Sequence, residues 1–272
     1  MPRRRRQSRG GLPDAVTGAL FGALALLIIA GIGGGYFYLK RTRPVLDAES
    51  NCPSTGPTAI HAILFDRSDP ISDQQAQRIR QVITKYKDSA SSGVRFDLYT
   101  FNGDTSHVLA PKLQVCAVGK DANELIENPE RIRQRYEKKF SAVLDQTVGE
   151  LLRGAKESTS PIIESLRAAA ITSFGAVDAG QLPLHVTLIS DMVQNTNLYS
   201  NFQTEPNFQQ LSRSSAWPVL QPQLKGAEVD IIYLLRLSAM RRGVRIQNAG
   251  HQAFWEQLIA ASGGRTMSID LY

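Results

Sequence analysis

The sequence predicts an α/β domain, a doubly wound and mostly parallel sheet flanked by helices, preceded by one transmembrane helix. Three observations lead there. Apolar runs of strand length alternate with stretches of helical periodicity, the pattern of a parallel sheet with crossover helices. Two of those runs, TAIHAILF (58–65) and LPLHVTLISD (182–191), are apolar enough to be buried on both faces, as central strands are. Near the start, AVTGALFGALALLIIAGIGGGYFYL (15–39) carries no charged residue.

At about 1.5 Å per residue, roughly 20 apolar residues cross a bilayer core of about 30 Å, and 15–39 is long enough. Tyr36, Phe37 and Tyr38 stand where an interfacial aromatic belt would lie. The run is longer than a signal-peptide core and ends in YFYLKRTR without a small-residue cleavage site, so it reads as an uncleaved anchor. Five arginines precede the span (Arg3, Arg4, Arg5, Arg6, Arg9) and three basic residues follow it (Lys40, Arg41, Arg43). The positive-inside rule then leaves residues 1–14 in the cytoplasm and the bulk of the chain outside it, which in a Gram-negative-like cell is the periplasmic side of the inner membrane. Gly18/Gly22 and Gly31/Gly35 have the spacing that lets membrane helices approach closely.

Net charge is +6, yet the rest of the chain holds 23 basic and 24 acidic residues once the eight basic residues and Asp14 of 1–43 are set aside. The basicity belongs to the membrane flank, which argues against nucleic acid as a partner. Cys52 and Cys116 are the two cysteines; they read either as buried thiols or, on the exported side, as a disulfide that would stabilise by roughly 3 to 5 kcal/mol in the chain-entropy model.

The elements follow in order. Residues 40–57 carry three prolines and no periodicity and read as a linker to a domain at 58–272. After the strand at 58–65, Ser72 and Gln75 form a capping-box pattern before Ala76, Ile79, Val82, Ile83 and Tyr86 repeat at helical spacing. VRFDLYTF (94–101) is a strand, and a turn through NGDT leads to another near 108–118. A long amphipathic helix begins at Asn128, and a second at Ser160, with Ser160 as cap and Pro161 as first helical residue. Residues 192–225 are polar and poorly periodic, a connection of a length often used for function. EVDIIYLLRL, then HQAFWEQLIAAS stopped by Gly263-Gly264, then RTMSID complete the alternation. Phe254 and Trp255 read as packing residues, and His61, His107, His185 and His251 are scattered, without zinc spacing.

Both central strands end in an aspartate, Asp66 and Asp191. In doubly wound sheets ligands bind beyond the carboxyl ends of strands where strand order reverses. Asp66, Ser68, Asp191 and a hydroxyl from Thr159 or Ser160 make an oxygen-only set suited to a hard divalent cation, Mg²⁺ above all. Each aspartate alone is also an ordinary turn residue at a strand end.

An apolar strand running into Asp-x-Ser, a later Thr/Ser before a helix, and then TLISD resembles a von Willebrand factor A-type domain with its metal-ion-dependent adhesion site. The resemblance covers residues 58–272, and CPSTGP, LFDRSDPIS, LQVCAVG, NPERIRQRYEKKF, SPIIESL and FWEQLIAASGG are similar to membrane-anchored bacterial members. It implies a Rossmann-like fold, a Mg²⁺ site and ligand or partner binding; the reading taken from it is a protein-binding domain that needs no chemistry on a substrate. The family pattern is Asp-x-Ser-x-Ser; Pro70 stands at its last position, so one hydroxyl ligand is missing. Two alternatives remain at this stage, a metal-dependent hydrolase or phosphatase using the Asp66 crevice, and a metal-free scaffold. A phosphatase of the haloacid-dehalogenase type needs a second aspartate two residues after the first, and that position is Ser68.

Overall fold

The structure, a computed structural model, describes residues 14–41, 45–101, 110–120, 128–153 and 159–272. The arginine cluster, the NGDT turn and His107 lie outside the described residues. The chain divides into two compact units, one through Val45 and one from Leu46.

The first unit is helix α1 (Asp14–Arg41). Its stretch Gly18–Tyr38 is long and apolar enough to cross a membrane. Leu20, Phe21, Leu27, Ile29 and Phe37 are all exposed. A helix apolar on every side suits lipid, not an aqueous surface.

The second unit opens with Leu46–Pro53, which folds back on itself through a bridge between those two residues and a turn closed by the Asp47 carboxylate. Then come β1 (Ala59–Asp66), α2 (Asp73–Ser89), β2 (Val94–Phe101) and β3 (Leu113–Cys116). The long helix expected from Asn128 is α3 (Pro129–Tyr136), a π turn at Glu137–Ser141, and α4 (Ala142–Leu151). After it stand α5 (Ile162–Phe174), β4 (Leu184–Ser190), the short α6 (Phe208–Ser212) and α7 (Trp217–Leu220), and β5 (Glu228–Tyr233). A hairpin of β6 (Met240–Arg241) and β7 (Val244–Arg245), then α8 (Ala249–Ala261) and β8 (Arg265–Leu271), complete the unit.

The six-stranded sheet has the order β3-β2-β1-β4-β5-β8, parallel except for β3. This is the doubly wound, Rossmann-like architecture that the von Willebrand A resemblance implies, and the order reverses between β1 and β4. Side-chain alternation on β1 shows why both faces had to be apolar. Ile60, Ala62 and Leu64 pack with residues of α5 and α8, whereas Ile63 and Phe65 pack with α2 and α4. The Ser72–Gln75 capping box starts α2 as its sequence pattern predicts. Gly263, at φ +75, ends α8 in the left-handed region open to glycine; at Gly264 a Cβ would meet Leu224 Cδ1 at 2.6 Å.

Cys52 and Cys116 are joined as a disulfide, tying the start of the domain to the edge strand β3. Asn51 adds a second tie, donating from Nδ2 to the carbonyl of Lys139 inside the π turn at 3.1 Å. A π turn frees backbone carbonyls from their usual helical partners, and Asn51 supplies a donor for one.

Candidate metal centre

The site stands where strand order reverses. β1 and β4 run parallel with Phe65 opposite Ile189, so the next step sets Asp66 beside Ser190. The Ser190 hydroxyl donates to Asp66 Oδ2 at 2.6 Å, and Ser160 Oγ donates to the same oxygen at 3.1 Å. Asp66 Oδ1 accepts the Ser68 amide at 2.9 Å and the Ser68 hydroxyl at 2.5 Å. One carboxylate thus takes four hydrogen bonds, about all that its two oxygens can accept. Asp191, one residue past β4, accepts the Val193 amide at 2.8 Å. Both aspartates therefore close turns two residues ahead, so the ordinary turn role and the site role fall on the same side chains.

Around them, Ser68, Asp69, Thr159, Ser160 and Asp191 line a cavity of about 280 Å³ together with Arg236. Asp66 lies beneath these groups and is buried. Burial pushes the Asp66 carboxyl above the usual carboxylate range, opposed by the hydrogen bonds from Ser190, Ser68 and Ser160. Burial pushes Asp191 well above it, and the charge of Asp66 pushes in the same direction. Two carboxylates buried side by side, the charge of one raising the cost of ionising the other, are stabilised by a nearby cation.

Comparison with solved structures gives distant likenesses. No family model matches the chain, and no curated protein matches it. Solved structures similar to it include an aerotolerance-related membrane protein from Bacteroides fragilis, at 14% identity and a TM-score of 0.40, covering 78% of this chain and 92% of that one. The protein BatB from Bacteroides thetaiotaomicron stands at 14% identity and 0.38, covering 80% and 92%. A von Willebrand factor type A protein from Catenulispora acidiphila stands at 11% and 0.42, covering 79% of this chain and 39% of that one. Likenesses this remote carry no functional weight; the strand order is what places the chain in the fold.

The residues present fit a hard divalent ion. The candidate donors are all oxygen: the carboxylates of Asp69 and Asp191 and the hydroxyls of Ser68, Thr159 and Ser160 line the cavity, and the Asp66 carboxylate is buried beneath. Among the described residues no group of three or more His, Cys, Asp and Glu is set to hold a metal. An ion here would accordingly need hydroxyl or water oxygens to complete its shell. Pro70 is exposed and brings no side-chain donor.

The structure draws Asp66, Ser68, Ser160 and Asp191 together, with Thr159 on the same cavity. It corrects one expectation: Ser160 is not the cap of its helix. Pro161 holds the cap position, at φ −86° and ψ 61°, and Ile162 is the first helical residue. The Ser160 backbone bridges to Asn195 and its hydroxyl serves Asp66, so it is engaged elsewhere. Gln194 supplies the missing cap from the β4 side, its Oε1 accepting the Ile163 amide at 2.9 Å.

Sequence reasoning missed Ser190, Gln194, Arg236 and Gln247. Ser190 was within reach, since register alone sets it beside Asp66. The others arrive from loops whose paths no periodicity reveals. Gln247 is buried and donates to the carbonyls of Asp191 and Leu234, both at 2.8 Å, while accepting the Arg236 amide at 2.6 Å. Met192, next to Asp191, sits at φ 62°, a conformation costly for a non-glycine residue. Its amide is held by Ser190 Oγ at 2.8 Å and its carbonyl by Trp255 Nε1 at 2.9 Å.

Two larger hollows lie elsewhere. One of about 540 Å³ is lined by Gln-rich first turns of α2 and Tyr272. The other, about 660 Å³, opens at the amino ends of β1 and β4 beside His61 and His185. Three of its polar side chains are engaged by neighbours: His61 pairs with Thr187, and His185 and Tyr86 with Asp230.

Proposed function

We propose that this domain is a membrane-anchored protein-binding module whose Asp66–Asp191 crevice takes up Mg²⁺ and offers it to an acidic group of a partner protein. The observation that carries the reading is the meeting of two buried carboxylates, ringed by hydroxyls, at the switch point of the sheet. Asp191 lines the cavity, and Asp66 reaches it through the hydroxyls of Ser68 and Ser160 that it orients. Thr159 adds a further oxygen at the rim. The ion would neutralise the carboxylate pair and keep a coordination position for a partner's oxygen. Residues 192–225, which pack against the crevice through Val193 and Asn195, would shape the surface around it. No chemistry on a substrate is required, and the reading is of a non-enzyme.

Helix α1 is the anchor in this reading, with the domain on the periplasmic side of the inner membrane. The excess of arginine before the span and the Cys52–Cys116 disulfide both support that side. A periplasm-only reporter fused after Tyr272 is expected to be active; a silent reporter on a well-expressed fusion would reverse the topology.

The functional test is capture of the full-length protein from its native membrane with Mg²⁺ or with chelator. A partner held in Mg²⁺, released by chelator and absent from Asp191→Asn is expected. Retention indifferent to both treatments would leave only a metal-free scaffold. Hydrolysis of a generic phosphate ester, abolished in Asp66→Asn, would overturn the binding reading in favour of an enzyme.

A further inference from the structure

Arg236 lines the same cavity as Ser68, Asp69 and Asp191, and nothing in the adhesion-site pattern accounts for it. Its backbone is fixed. Gln247 accepts the Arg236 amide and donates to the Asp191 carbonyl, which clamps the two chain segments side by side. Its side chain, by contrast, is poorly provided for. Nη1 makes one long contact, 3.5 Å to Gln75 Oε1, and Nε is buried without a hydrogen-bond partner among the described residues. An unpartnered buried donor is costly, more so on a charged group. Gln75 lies in the first turn of α2, and the positive end of a helix dipole gives a guanidinium no support there. Arg236 shares the cavity with Asp69 and Asp191, and its charge acts on Asp191 in the opposite sense to those of Asp66 and Asp69.

We infer that Arg236 is the crevice's own cation: it partly offsets the charge of Asp191, with which it lines the cavity, when no metal is present, and a divalent ion must compete with it for the site. This rests on the proposed cation site and adds a regulating residue to it. The two cations cannot share the pocket without mutual repulsion. The resident guanidinium therefore weakens metal binding and makes occupancy respond to the surrounding ion concentration. Arg236 is a tuning residue in this scheme and needs no contact with the metal.

The test uses the full-length protein in a non-ionic detergent with Mn²⁺ as the probe, following free Mn²⁺ by electron paramagnetic resonance and binding heat by calorimetry. Arg236→Gln is expected to bind Mn²⁺ about tenfold more tightly than the unaltered protein, the effect of removing one nearby charge. Arg236→Lys, which keeps the charge, is expected to stay close to the unaltered protein. If Arg236→Gln does not fold, Arg236→Met retains much of the aliphatic stem and carries the same expectation. Equal or weaker binding in the neutral variants, with clear binding to the unaltered protein, would overturn the role of Arg236 and leave the cation site standing. Binding to none of the proteins would overturn both. Binding only to the neutral variants would support the role of Arg236 and show that the native crevice stays closed to metal.

Discussion

Ser190 Oγ holds two atoms of the site at once, donating to Asp66 and accepting from the Met192 amide. Ser190→Ala removes a donor from a buried carboxylate and an acceptor from a strained turn. A loss of about 2 kcal/mol in stability is expected, read from urea unfolding; a change within error would show that Ser190 does not support the crevice. His251 makes a second residue-scale case. It is fully enclosed, bonded to Tyr233 through Nδ1 and near Asn201 and Trp255, and burial lowers its pKa from 6.5 to about 4. Unfolding at intermediate pH therefore takes up a proton. The stability owed to neutral His251 is complete above pH 6.5 and is lost as pH falls toward about 4. Urea midpoints measured down that range are expected to fall less steeply in His251→Gln than in the unaltered protein; parallel profiles would contradict this. Asp66 and Asp191 act in the opposite sense, because their folded values are raised: their ionisation costs the metal-free domain stability as pH rises. At this scale the sequence showed the residue types well. Asp66, Ser68 and Asp191 could be picked out because each stands at or just past a legible strand end. Arg236 and Gln247 could not, since they enter from the loops around a hairpin whose two-residue turn, Arg242-Gly243, has positive φ at both positions.

Among the elements, the segment before β1 shows how local composition can mislead. Residues 40–57 have a linker's prolines and no period, yet Leu46–Pro53 is a bridged turn bolted to β3 by the disulfide and to the π turn by Asn51. Its order comes from long-range ties that no window of sequence contains. With the two cysteines 64 positions apart, reduction is expected to cost the domain about 4 kcal/mol in the entropy model, seen as a lower melting temperature in a reducing agent. An unchanged melt would mean that Asn51 and the bridge suffice. The start of α5 is the other instructive element. Ser-Pro before an apolar run is a fair helix-start signal, but Ser160 is drawn away by Asp66 and Asn195. Gln194 caps Ile163 from a distant loop, so Gln194→Ala is expected to destabilise by about 1 kcal/mol, measured by urea unfolding, and no loss would argue against the cap.

For the whole molecule, the doubly wound order was readable because β1 and β4 bury both faces and so are mostly apolar. Strand order then brought two aspartates, 125 positions apart in the chain, to one crevice, which no local motif encodes. The chain sets a membrane-length helix before a sheet domain whose open edge gathers carboxylates, hydroxyls and one arginine. Everything functional in that combination turns on whether the crevice takes a divalent ion. The decisive measurement is calorimetric titration of the full-length protein with Mg²⁺ at neutral pH, beside Asp191→Asn. Saturable binding of one ion in the millimolar range, absent from Asp191→Asn, is the predicted result. No binding to the unaltered protein at tens of millimolar, or undiminished binding to Asp191→Asn, would contradict it.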